Sequence, residues 1–151
     1  DFNAVTAVIG SYTIDDQTTM GEKIEKIPVQ RVYAHPEYNS MTNNYDIALV
    51  FLKESASSNV KYARLNSDIQ VPNAGDTLTA LGWGDTTAED GYDPSNVLVE
   101  VDVDYIENDE CEASKDSNND SYEGKIKDTM LCASSPGKDG CQGDSGMIRF
   151  R

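Results

Sequence analysis

The apolar positions of this chain fall in short runs, and the clearest of them alternates. From residue 97 to 104, Val97, Val99, Val101 and Val103 take every second place, with Leu98, Glu100, Asp102 and Asp104 between them. A period of two puts the valines on one face of a strand and the acids on the other, one face dry and one wet. Residues 4–12 carry β-branched and aromatic side chains ahead of a polar turn at 15–21, and residues 24–33 continue in the same manner. Pro28 has no N–H to give a ladder, so it marks an edge or a bulge in that second strand. Residues 46–52 are almost wholly apolar, the pattern of a strand covered on both faces. A further strand is predicted at 77–83. Residues 53–75 are polar and punctuated by serine and proline, a connection rather than an element. A short helix is predicted at 108–114, with Asn108 or Asp109 as its N-cap. No long segment holds a period of 3.6, so a helical bundle is excluded and the chain is all-β.

Composition narrows the partners. Twenty-seven acidic residues stand against twelve basic ones, a formal net charge of −15. Nucleic acid and anionic membrane surfaces require Lys and Arg for affinity, so both are excluded as partners. The carboxylates gather at 85–93, 102–112 and 116–123, a solvated surface that also suits a field drawing in basic substrates. No run of 18 apolar residues is present to form a membrane-spanning helix. Three cysteines are an odd number, which in a secreted protein points to a partner elsewhere. Without a Cys-x-x-Cys pair, and with one histidine, they do not form a zinc site. Asn119-Asp120-Ser121 is a glycosylation sequon.

The chemistry concentrates near the end of the chain, at Asp139-Gly140-Cys141-Gln142-Gly143-Asp144-Ser145-Gly146. A serine between glycines and after an aspartate suits a nucleophile on a tight, exposed turn that a substrate carbonyl can approach. The N–H groups of Gly143 and Ser145 can then converge on one developing oxyanion. This octet resembles the nucleophile loop of trypsin-like serine proteases. Three further stretches are similar to landmarks of that family and stand in its order. They are Asn44-Tyr45-Asp46-Ile47-Ala48-Leu49-Val50 with the preceding Ala34-His35-Pro36-Glu37-Tyr38-Asn39, then Gly82-Trp83-Gly84, then Met130-Leu131-Cys132-Ala133.

The resemblance implies a double antiparallel β-barrel. Residues 1–55 would belong to the first barrel, 56–75 to the inter-barrel connection and 76–151 to the second. It implies Ser145 as nucleophile and Asp46 as the carboxylate that orients a catalytic imidazole. Gly143 and Ser145 would form the oxyanion hole. Asp139 would lie at the floor of the specificity pocket, selecting Lys or Arg, and Asp144 would be the carboxylate of the activation ion pair. Cys111 would pair with Cys132, and the partner of Cys141 would lie beyond residue 151.

Two departures from the family pattern stand out. The single histidine, His35, precedes a proline about a dozen residues before Asp46 and is expected to be a turn residue, outside the family's Ala-Ala-His-Cys context. Met147 stands where the family has glycine. The expectation is therefore a chain that starts after the catalytic histidine, stops short of the pocket strands and is inactive alone. No metal or other cofactor is expected, the loose acidic group at 11–22 being too sparse for calcium. The expected partners are protein or peptide substrates, with the chain monomeric and extracellular. The alternative is a secreted, non-catalytic homologue of these proteases that binds partners.

Overall fold

The computed structural model describes residues 5–15, 24–57, 61–87, 91–116, 118–138, 140, 142–146 and 148–150, the last three by their backbone alone. Asp139, Cys141, Met147 and Arg151 lie outside the described residues. The chain divides into two compact units, Asp1–Leu65 and Asn66–Arg151.

In the first unit, β1 (Thr6–Ile9), β2 (Glu25–Ala34) and β3 (Ala48–Leu52) form one antiparallel sheet in that order. Ile27 and Val29 of β2 are its buried apolar residues. Pro28 pairs with Thr6, its carbonyl accepts the Lys53 N–H at 2.9 Å, and the ladder to β3 shifts register between Val29 and Arg31. The proline thus sits beside a bulge, as a residue without a donor must, but in the central strand rather than at an edge. The apolar run of β3 does not have both faces covered. Leu49 is 63% and Val50 55% exposed, because a three-stranded sheet presents β3 as an edge with little packed on it. Tyr33 and Phe51 meet edge to face at 5.5 Å on that sheet.

In the second unit, β4 (Thr77–Gly82), β5 (Val99–Ile106), β6 (Cys132–Ser134) and β7 (Ile148–Phe150) form a second antiparallel sheet in the order β6-β5-β4-β7. The alternation predicted for β5 is realised only in its inner half, since Val97 and Val99 are exposed and Val101 is half-buried. Val103 is buried against Leu78 and Ala80 of β4 as the small core of this unit, while Glu100, Asp102 and Asp104 face water. On the wet face Thr77 donates to Asp104 at 3.1 Å and Thr79 to Asp102 at 2.7 Å, so both aspartates have a cross-strand partner.

The helix α1 (Asn108–Glu112) is a single short turn, and its N-cap is Glu107, without a side-chain cap bond. Asn108 therefore does not cap. Its Nδ2 donates to the carbonyls of Lys127 at 3.3 Å and Met130 at 3.1 Å, tying the helix to the segment that leads into β6. A disulfide between Cys111 and Cys132 joins the same two elements. Residues 61–76 carry no strand, and Tyr62, Leu65 and Ile69 are exposed there. Among the described residues no helix is long and apolar enough to cross a membrane.

Candidate active site

The serine loop is held by the turn that ends β4. That strand finishes in Gly82-Trp83-Gly84, and the Gly84 N–H donates to Asp144 Oδ1 at 2.8 Å. A Cβ on Gly82 or on Gly84 would collide with the Asp144 carboxylate. The two glycines therefore make the seat into which Asp144 fits, and Gly84 is buried beneath it. One residue further on, the Asp85 N–H donates to the Gln142 carbonyl at 2.8 Å. The loop is thus fixed through its backbone on one side of Gly143 and through a side chain on the other.

Gly143 has φ +96°, a conformation that side chains disfavour, and a Cβ there would meet the Tyr92 hydroxyl at 2.7 Å and Gly84 Cα at 3.3 Å. Glycine is required twice over at this position. Gly146, at φ +85°, turns the chain again directly after Ser145. Between these two turns Ser145 is exposed, while Asp144 before it is half-buried. The result is a serine held out to solvent on a loop whose base is anchored.

Beside the loop lies a depression of about 890 Å³, bordered by Ala80 and Val101 of the sheet, by Asp85 and Asp144, and by Ser134 and Lys138 of the segment leading to the loop. At its rim the Asp85 carboxylate accepts the Thr87 N–H at 2.9 Å and the Thr87 hydroxyl at 3.0 Å. The backbone bond, with the hydroxyl adding to it, holds Asp85 below the ordinary carboxylate value.

Asp46 belongs to the first unit and is exposed. It sits at the centre of a three-residue turn closed by the Ile47 N–H to the Tyr45 carbonyl at 2.8 Å, with Tyr45 at φ +54°. This turn aims the chain from the His35–Asn44 bend into β3. His35 occupies the bend itself. Its ring stacks on Tyr45 at 4.5 Å, its Nδ1 accepts the Glu37 N–H at 3.2 Å, and its own N–H donates to the Ile47 carbonyl at 2.9 Å. Asp139 and Cys141 lie outside the described residues, as do Asp16 and Glu22 of the acidic group at 11–22.

Two features of this site were not assigned from sequence. Gly82-Trp83-Gly84 stood out as a landmark, but nothing in the triplet shows that it receives Asp144, sixty positions away. Tyr92, packed on Gly143, carries no signal at all in a polar loop.

Comparison with known proteins agrees with this architecture. The trypsin family model matches residues 3–147. Human kallikrein-7 is 35% identical over 148 residues, 95% of this chain and 53% of the kallikrein. Bovine anionic trypsin is 33% identical over 140 residues, 91% of this chain and 52% of the trypsin. The structure of neuropsin, a serine protease expressed in the limbic system of mouse brain, superposes with a TM-score of 0.80 at 29% identity, covering 95% of this chain and 60% of that one. The chain spans about half the length of the curated relatives it matches.

Proposed function

This chain belongs to the trypsin family of serine proteases, and from that premise we propose that it carries the nucleophile half of a serine endopeptidase site, with Ser145 as nucleophile. The observation that carries the reading is the anchored loop, in which Asp144 is seated on Gly84 while Ser145 stands exposed after the left-handed Gly143. Ser145 Oγ attacks the substrate carbonyl carbon, and the N–H groups of Gly143 and Ser145 hold the oxyanion that forms. Asp46 orients the imidazole that takes the serine proton.

His35 is not that imidazole. Its ring is engaged by Tyr45 and by the Glu37 N–H, and it is the only histidine in the chain. No other histidine is present in residues 1–151 to serve as the base, so the chain alone is expected to lack triad-dependent proteolysis. Asp139 selects Lys or Arg at the cleaved bond by offering a counter-charge to the substrate cation. Asp144 is the carboxylate of the activation ion pair, and its present bond to Gly84 keeps it at the base of the serine loop. Residues 1–55 and 76–151 contribute to two barrels joined through 56–75. The substrates are proteins or peptides, and the chain is extracellular, consistent with a disulfide that persists in oxidising surroundings.

The test is a chimera in which the flanking segments of bovine anionic trypsin enclose residues 3–147. It is expected to cleave an Arg peptide in preference to a Phe peptide. Ser145→Ala should remove on the order of 10⁶ in turnover, and Asp46→Asn about 10⁴. A folded chimera with an intact Cys111–Cys132 bond and no activity sensitive to Ser145→Ala supports the second reading, a non-catalytic binding homologue. Equal cleavage of both peptides refutes the role given to Asp139 alone.

A further inference from the structure

The 108–131 excursion of the second unit holds a feature that the protease reading leaves unused. Asp116 organises a tight turn there, its Oδ1 accepting the N–H groups of Asn118 and Asp120, both at 2.9 Å. The turn is closed by the Asp116 N–H to the Asp120 carbonyl and by the Asn119 N–H to the Asp116 carbonyl, both at 3.0 Å. At its tip Asn119 takes φ +68°, and residues 118–121 are all exposed. Asn119-Asp120-Ser121 is the sequon already noted, and it is the one Asn-x-Ser/Thr triplet in the chain.

The orientation of the Asn119 amide is fixed by chemistry. Lys115 Nζ donates to Asn119 Oδ1 at 3.1 Å, and an ammonium can only donate, so the oxygen faces Lys115 and Nδ2 faces away. N-linked glycosylation uses Nδ2 and leaves Oδ1 an acceptor, so the lysine contact and the glycan are compatible. Ser121 pairs with Lys115 by an isolated bridge, and its hydroxyl oxygen accepts the Glu123 N–H at 3.1 Å. Among the described residues of the turn, none of these bonds has to open for a bulky group to project from its tip.

We propose that Asn119 is an N-glycosylation site. In the transfer, the bond from the sugar C1 to a lipid-linked diphosphate breaks, and the diphosphate leaves with the electron pair. A new bond forms from C1 to Asn119 Nδ2, which gives up one proton to a base of the transferase. The proposal rests on the extracellular route given above, and its test supplies that route artificially so that the two can fail separately.

The full chain is expressed behind a cleavable secretion leader in a eukaryotic cell, and all lumenal and secreted chains are collected and treated with peptide N-glycosidase. One downward step in mobility is expected, with Asn119 recovered as Asp by peptide mass. Asn119→Gln and Ser121→Ala should each remove the step, and Ser121→Thr should retain or increase it. Chains that enter the lumen and show no releasable mass overturn the proposal, whether or not they are secreted.

Discussion

Asp144 accepts the Gly84 N–H at 2.8 Å, sixty positions away in the chain. That bond joins the end of β4 to the serine loop, and the missing side chains of Gly82 and Gly84 make room for it. A bond from a backbone donor to a half-buried carboxylate stabilises by about 1.5–3 kcal/mol. Asp144→Ala should therefore lower stability by about that amount. Gly84→Ala should cost about 1–3 kcal/mol by forcing the carboxylate from its seat. Denaturant midpoints at unchanged m-value measure both, and the double variant should fall short of the sum, because each change breaks the same contact.

The disulfide should matter through the loop it closes. Cys111 and Cys132 are 21 positions apart, and a loop of that size is worth about 3 kcal/mol in the chain-entropy account. Replacing both with serine is expected to lower the denaturant midpoint accordingly. A loss below about 1 kcal/mol would show that Asn108, which ties the same helix to Lys127 and Met130, already holds the loop.

Asn108→Ala removes the donor from two carbonyls in a half-buried position, so a loss of about 1–3 kcal/mol is expected. Faster exchange should appear first in residues 108–131. Hydrogen exchange of that segment, compared with β4 and β5, locates the effect.

Asp85 gives a prediction in pH. Its folded value is depressed below 3.8, so the fold favours the ionised form. The stabilisation is present above the unfolded value near 3.8 and fades as pH falls through the lower folded value. Because the Thr87 N–H is the largest cause, Thr87→Pro should return the carboxyl midpoint most of the way toward 3.8, and Thr87→Ala only part of the way. Carboxyl titration by NMR distinguishes the two variants.

The 151-residue chain itself should hydrolyse neither Arg nor Phe peptides by a serine mechanism. Turnover that disappears on His35→Ala would show that the stacked His35 ring can leave Tyr45 and act as a base.

Much of this molecule was written locally. The alternation of valines and acids specifies which face of β5 turns inward, with Val103 buried and Asp102 and Asp104 exposed, because side chains of a strand alternate. How far along the strand that face is covered was not local, since Val97 and Val99 are exposed. The octet 139–146 and the ordered landmarks specified the family, since close approach of backbone to substrate demands glycine at fixed offsets. Tertiary structure decided the rest. An apolar run such as β3 fixes a strand but not what covers it, and β3 proved exposed. Asn108 has the chemistry of a cap, but the nearby carbonyls of Lys127 and Met130 compete for its amide, and they won. The seat of Asp144 on Gly82 and Gly84 depends on a contact across sixty positions, which no local pattern encodes.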